Sequence, residues 1–117
     1  MKVKNILVEI KSDKEVFEEL RKTAKDIKAG KRAGKKESLV FSDLKQMRSF
    51  LTTERLKLLH LIKEKRPSNI YQLAKLAEKD YATIYKNVQA LQELGLIEMH
   101  ENKPQVNYEK ISLEIAV

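Results

Sequence analysis

The segment from Asp80 to Leu94 carries the side chains best suited to chemistry with a nucleic acid. Its apolar residues Ile84, Val88 and Leu91 recur at helical spacing, which assigns them to the buried side of a helix. Because each residue of a helix turns by about 100°, the opposite side carries Ala82, Thr83, Lys86, Gln89 and Ala90, with Tyr85 at its flank. Threonine and lysine can hydrogen-bond to bases or phosphates, and alanine offers a methyl contact to thymine. The spacing predicts a helix over residues 80–94, and its place as the third helix before a hairpin predicts that it is a recognition helix in the major groove.

Two further sets of residues could contact the DNA backbone. Glu101 to Pro104 have turn chemistry, which predicts a hairpin that presents Asn102 and Lys103 at its tip. The other set lies in the segment KAGKRAGKK, where no acid accompanies Lys31, Arg32, Lys35 and Lys36. Gly30 and Gly34 make this segment a flexible basic linker. It is equally compatible with a solvated loop and with a contribution to nucleic-acid binding.

Catalytic and metal-binding chemistry has little support in the residue types. The chain has no cysteine and only two histidines, His60 on a leucine-rich helix and His100 in a predicted strand. A zinc site would therefore need carboxylates to complete its ligand set. No phosphate-binding glycine loop, nucleophile elbow or dinucleotide fingerprint is present. We predict a protein that is not an enzyme, with no catalytic residues, no metal ligands and no cofactor.

Alternation, helical spacing and capping residues predict the elements of the N-terminal part of the chain. An apolar block at residues 3–10 predicts a strand, and Ser12 with Glu15 has capping-box spacing before a helix over 13–29. Residues 38–41 favour a short strand, after which Ser42 or Asp43 can cap another helix.

The remaining elements place the recognition helix third in a row of helices. Thr52 or Thr53 begins a helix that ends at Arg66-Pro67, and Asn69 begins a short second helix. Asp80 is the predicted N-cap of the third helix and Gly95 its C-terminal stop. A hairpin with strands at 96–100 and 105–108 follows, and the alternation of residues 111–117 predicts a terminal strand.

Length and charge agree with a single small domain and an anionic partner. The 117 residues carry a formal net charge of +7, with 42% hydrophobic and 35% charged residues. Residues 1–51 hold 14 basic and 8 acidic side chains, whereas residues 52–117 hold 10 and 9. The longest apolar run is too short for a transmembrane helix, and the N-terminus lacks the pattern of a signal peptide. The sequence predicts a cytoplasmic protein with no membrane partner.

Three helices followed by a hairpin are typical of a winged helix-turn-helix domain. The run LTTERLKLLHLIKEKRPSNIYQLAKLAEKDYATIYKNVQALQELGLIEM resembles the MarR/ArsR-type winged helix-turn-helix regulators of prokaryotes. Over nearly its full length the chain is similar to a group of short bacterial and archaeal proteins assigned to DNA binding. In that group an N-terminal strand and helix precede a phenylalanine-initiated helix, here matched by Phe41, and the winged domain. A Y-x-x-I-x-x-x-I strand closes the chain, here with Tyr108, Ile111 and Ile115.

This resemblance implies a transcriptional regulator in which Thr83, Tyr85 and Lys86 face DNA. Some members of the group are encoded beside a small toxin, so the resemblance also implies an antitoxin as the alternative function, with a toxin protein as partner. RNA or single-strand binding is a further alternative, because Tyr71, Tyr81 and Tyr85 could stack on unpaired bases. We expect Tyr71 and Tyr81 instead to pack at the junction of the second and third helices.

The predicted fold class is mainly α with a small β component, arranged as an N-terminal strand-helix extension, a winged helix-turn-helix and a C-terminal strand. We place the extension and basic linker at residues 1–36 and the winged domain with its terminal strand at 37–117. Neither terminal strand has a sequence-adjacent partner, and a lone strand leaves backbone groups unpaired. We therefore expect the two to pair, within or between subunits, in a homodimer that reads the two halves of a duplex site as a repressor.

Overall fold

The computed structural model describes residues 5–28 and 38–115. The helices in this part of the chain are α1 (Asp13–Lys28), α2 (Leu44–Phe50), α3 (Thr53–Lys65), α4 (Ile70–Ala77) and α5 (Tyr81–Glu93). The strands are β1 (Asn5–Ile10), β2 (Ser38–Phe41), β3 (Glu98–His100), β4 (Lys103–Gln105) and β5 (Lys110–Ile115). The predicted mixture of helices with small sheets is confirmed. None of these helices is long and apolar enough to cross a membrane.

The described residues form two compact units. The helical unit is Arg48–Asn107, and the terminal unit contains what is described before Arg48 and after Asn107. The division predicted from the sequence falls in the basic linker, and residues 29–37 lie outside the described residues.

The terminal unit is built on a parallel three-stranded sheet in the order β2-β1-β5. Strand β1 is central, and β5 pairs with it along its whole length, from Asn5 opposite Lys110 to Ile10 opposite Ile115. The expected pairing of the chain ends is therefore confirmed, and it occurs within one chain.

One face of this sheet collects the apolar side chains, because residues opposite each other in a parallel ladder share a face. Ile6 and Val8 of β1 and Phe41 of β2 are buried there. On β5, however, Leu113 is 46% exposed and Ile115 is 51% exposed. The apolar face is thus closed at its centre and open along β5.

The helical unit packs α3, α4 and α5 around an aliphatic core. The side chains with almost no exposed surface in this unit are Ile62, Leu73, Val88, Leu91, Leu96 and Ile97. They come from all three helices and from the segment that follows α5, so the core fixes the position of α5.

Short polar residues begin the helices of this unit, as predicted. Thr52, Asn69 and Asp80 each accept a hydrogen bond from a backbone N–H in the first turn of their helix. Each satisfies a donor that has no partner within the helix. The observed helix α5 with its two caps covers the predicted segment 80–94.

The end of α5 depends on a glycine. Gly95 has φ +76°, a conformation that costs little without a Cβ. The Gly95 and Leu96 N–H groups donate to the carbonyls of Gln92 and Leu91, both at 2.9 Å, and Leu91 and Leu96 are buried. This arrangement is a Schellman motif, and it directs the chain from α5 into β3.

The hairpin is tighter than the sequence predicts. Glu101 and Asn102 alone form the turn, both with positive φ, and Lys103 already begins β4. Pro104 lies opposite Met99, next to the pair His100–Lys103 that closes the turn. In a two-residue hairpin this position makes no ladder hydrogen bond, so proline is accommodated without losing one. The predicted second strand at 105–108 is therefore wrong in register, because β4 begins two residues earlier.

Candidate nucleic-acid interface

Helix α5 buries one side and exposes the other, as its periodicity predicts. Ile84, Val88 and Leu91 are at most 3% exposed. The exposed residues include every predicted DNA-facing residue of this helix: Ala82, Thr83, Tyr85, Lys86 and Gln89. None of the five is needed to close the core, so this face of α5 is available to a partner.

The N-terminus of α5 is closed by a network between Asp80 and Thr83. The Asp80 carboxylate accepts from the Thr83 N–H at 3.0 Å and from the Thr83 hydroxyl at 2.7 Å. These hydrogen bonds lower the pKa of Asp80 below its ordinary value, and the bond from the Thr83 hydroxyl has the larger effect. The Thr83 hydroxyl proton is therefore engaged in the cap, and its oxygen retains acceptor capacity for an external donor.

Three tyrosines form a stack that joins α4 to α5. The ring centroids of Tyr71 and Tyr81 are 4.3 Å apart, and those of Tyr81 and Tyr85 are 5.8 Å apart. The Tyr85 hydroxyl accepts a hydrogen bond from Gln89 Nε2 at 2.9 Å. All three rings remain between 37% and 65% exposed, so the stack lies on the surface.

Arg55 ties α3 to the recognition-helix candidate. Its Nε donates to Asn87 Oδ1 at 3.2 Å, and its Nη1 donates to the Phe50 carbonyl at 2.8 Å. One side chain thus joins the end of α2, the first turn of α3 and the middle of α5. This contact ties α5 to α3, and the Tyr71–Tyr81 stack ties it to α4.

The hairpin presents the two predicted tip residues. Asn102 occupies the turn and Lys103 begins β4, and both are exposed. Glu98 at the base of the hairpin accepts a hydrogen bond from Asn107 Nδ2 at 2.8 Å and lies 3.3 Å from His100 Nε2. Its carboxylate therefore has partners within the helical unit. The other predicted backbone contacts, Lys31, Arg32, Lys35 and Lys36, lie outside the described residues.

A cavity of about 350 Å³ lies beside α5 in the helical unit. Leu58, Leu61 and Ile84 contribute apolar side chains, and the charged or titratable residues of the lining are Lys57, Lys79, Glu54 and His60. Thr83 and Asn87 also line it, so a small molecule held there would lie against α5. No group of three or more histidine, cysteine or acidic side chains in the described residues is arranged to hold a metal ion.

Sequence reasoning found one of the contacts that fix α5 in place and missed another. The expected packing of Tyr71 and Tyr81 at the junction of the second and third helices is confirmed, whereas the stacking of Tyr85 on Tyr81 was not predicted. Arg55 and Asn87 are 32 positions apart, and no local pattern pairs them. The sequence signal for this pair is limited to a polar residue, Asn87, on the flank of α5.

Comparison with known proteins gives one family. The model of the HVO_A0114 family matches residues 50–113, which is more than half of the chain. The match spans α3, α4, α5, the hairpin and the first part of β5. No curated protein and no solved structure matches the chain.

Proposed function

The chain belongs to the HVO_A0114 family, and we propose that it is a sequence-specific regulator of transcription that binds double-stranded DNA through α5. In this proposal the helical unit is a winged helix-turn-helix. Helix α4 positions α5, α5 enters the major groove, and the β3–β4 hairpin is the wing.

The observation that carries the proposal is the exposed face of α5. Lys86 and Gln89 project from a helix that is capped at both ends and held by Arg55 and by the tyrosine stack. A lysine can reach a guanine edge or a phosphate, and a glutamine can pair with adenine in the major groove. Rigid placement favours base readout, because the positions of the contacting groups are set before binding.

The tyrosine stack limits how unpaired bases could bind. A platform for unpaired bases needs free aromatic faces. Tyr81 has a ring on each side, since it stacks on both Tyr71 and Tyr85. An unpaired base could therefore stack on the end rings, Tyr71 and Tyr85, but not on Tyr81, and the competition experiment below separates single-strand and RNA binding from duplex binding.

The proposal extends to how the protein would act on transcription. A basic chain of net charge +7 gains affinity for phosphates. Bound near a promoter as a homodimer, it would act as a cytoplasmic repressor by excluding other proteins, in the manner of the MarR/ArsR-type regulators that the sequence resembles.

Competition binding tests this proposal. A labelled duplex containing the DNA upstream of the protein's own coding sequence is titrated with protein at a fixed salt concentration. Unlabelled duplex of the same sequence, unrelated duplex, each single strand and the RNA copy serve as competitors. We expect the cognate duplex to compete at least about a thousandfold better than unrelated duplex. Equal competition by a single strand or by RNA contradicts the proposal.

A second candidate is an antitoxin that binds a toxin protein and represses its own operon. The observation that favours it is the exposure of Phe17 and Leu20 on α1, at 58% and 63%. Large apolar side chains on one helix are typical of a surface that a protein partner covers. Co-purification of the product of a neighbouring toxin-sized gene, lost in a Phe17→Ser and Leu20→Ser double variant, would support this function. Binding unaffected by these changes would contradict it.

A further inference from the structure

Strand β5 lies at an edge of the parallel sheet and carries a charge pattern that is complementary to itself. We propose that two copies of the chain associate through antiparallel pairing of β5 with β5 of the second copy, centred on Ser112. This proposal rests on the proposed function in one respect: a dimer would supply two copies of α5 for the two half-sites of a DNA site. The interface itself belongs to the terminal unit.

The first support is the edge position. The sheet order is β2-β1-β5, and within the described part of the chain β5 has a neighbouring strand on one side only. An edge strand presents a row of backbone donors and acceptors that another strand can pair with. With six residues, β5 is also longer than the other edge strand, β2, which has four.

The second support is charge complementarity. In antiparallel pairing about Ser112, residues whose numbers are equally far from 112 lie opposite each other. Lys110 then faces Glu114 of the second copy, and the symmetry produces this pair twice. On the other face, Ile111 lies opposite Leu113 of the second copy. A serine on the twofold axis is small enough to meet its own copy.

The third support is an unfavourable juxtaposition inside one chain. Glu114 lies directly beside Glu9 of β1 in the parallel ladder. Like charges at neighbouring positions of a sheet are destabilising. Glu9 forms an ion pair with Lys11, and Lys110 of the second copy would supply the corresponding cation beside Glu114.

The fourth support is the apolar surface that the pairing covers. Leu113 and Ile115 are about half exposed in one chain, although they share a face with the buried Val8 and Ile6. In the proposed register Leu113 would lie against Ile111 of the second copy, twice by symmetry, whereas Ile115 would lie opposite Glu109, which precedes β5. Burial of this surface supplies the apolar contribution that a lone edge strand lacks.

Charge reversal tests the register of this interface. Lys110→Glu, Glu114→Lys and the double variant are prepared in the full-length chain, with Lys22→Glu on the exposed surface of α1 as the matched control. Sedimentation velocity without DNA gives the dimer dissociation constant of each. Either single change creates two like-charged pairs, which should weaken the dimer by about tenfold or more. The double variant and an equimolar mixture of the two single variants should both restore it to within about threefold of the native protein, because each recreates opposite charges across the axis.

Cysteine cross-linking provides a readout that does not depend on these charges. The chain has no cysteine, so Ser112→Cys introduces a single thiol at the proposed axis, where opposed Cβ atoms lie about 5 Å apart. Ser38→Cys on the edge strand β2 is the control. A short bismaleimide should link Ser112→Cys into dimers at micromolar protein and leave Ser38→Cys monomeric.

Three results would overturn the interface: a monomeric native protein, an unrestored double variant, or cross-linking only through position 38. None of them concerns DNA, so they are separable from a failure of the proposed function. Conversely, a double variant that dimerises but does not bind duplex DNA would contradict the function and leave the interface intact.

Discussion

The helical unit and the terminal unit differ in how completely each buries its own apolar side chains. In the helical unit aliphatic residues of α3, α4 and α5 form one core and the exposed tyrosines stack on one another, while Phe50, Leu56 and Leu76 are 40–43% exposed. In the terminal unit Phe17 and Leu20 are 58% and 63% exposed, and Leu113 and Ile115 are about half exposed. The difference is one of degree: among the described residues the helical unit has the larger core, and the terminal unit has the more exposed apolar side chains and an open strand edge.

The largest expected effect comes from a leucine truncation made in both units. Leu91→Ala removes a fully buried side chain that also closes the Schellman motif, and should lower the free energy of unfolding by about 2–5 kcal/mol. Leu113→Ala removes a half-exposed side chain, and at protein concentrations below dimerisation should cost about 1 kcal/mol. Urea unfolding of the two variants measures both. Equal losses would contradict the difference in burial between the units.

The next effect concerns the exposed face of α5. Lys86→Ala should weaken specific duplex binding by about 1–3 kcal/mol, because a contact made by its ammonium group is lost. Lys22→Ala removes the same charge from α1 and should change affinity little. Titration of a labelled cognate duplex at constant salt gives the affinity of each variant. An equal loss of affinity in both variants would mean that Lys86 contributes only through the net charge of the protein and not through a specific contact.

The basic segment gives a smaller effect that is visible in salt dependence. If Lys31, Arg32, Lys35 and Lys36 contact phosphates, replacing all four with serine should reduce the slope of log affinity against log salt by about one unit per lost contact. Binding measured at several salt concentrations gives this slope. An unchanged slope would make the segment a solvated loop.

The smallest effect is on the cap of α5. The pKa of Asp80 is lowered, chiefly by the hydrogen bond from the Thr83 hydroxyl, so its stabilisation is present above the unfolded pKa and is lost as the pH falls through the folded value. Thr83→Val removes that hydrogen bond and should flatten the loss of stability in acid, whereas Thr83→Ser should retain it. Thermal unfolding measured between neutral pH and about pH 3 follows this change. Identical profiles for both variants would contradict the role of the hydroxyl.

The sequence predicts the elements of the helical unit well, because their signals are local. Thr52, Asn69, Asp80 and Gly95 mark helix ends by short-range hydrogen bonds or backbone conformation, and Ile84, Val88 and Leu91 mark the buried side of α5. The sequence does not give the hairpin register, because Pro104 is compatible with the turn as well as with its observed position in β4. Its position in β4 depends on the alternation of ladder hydrogen bonds, which composition does not display.

Features that depend on distant residues could be predicted only in outline. Unpaired terminal strands indicated that β1 and β5 would meet, but their parallel register is set by the whole chain between them. Arg55 reaches Asn87 only because α3 and α5 share a core. The exposed residues of α5 and the packing of Tyr71 with Tyr81 could be predicted from the sequence, whereas the stacking of Tyr85 on Tyr81 could not.

Footprinting on the DNA upstream of the protein's own coding sequence tests the central claim most directly, with the native protein and Lys86→Ala compared on the same duplex. We expect the native protein to protect a palindromic site whose half-sites are about one DNA turn apart, around 34 Å, and Lys86→Ala to lose that protection at the same concentration. Uniform protection without a preferred site, or an identical footprint from Lys86→Ala, would contradict sequence-specific binding through α5.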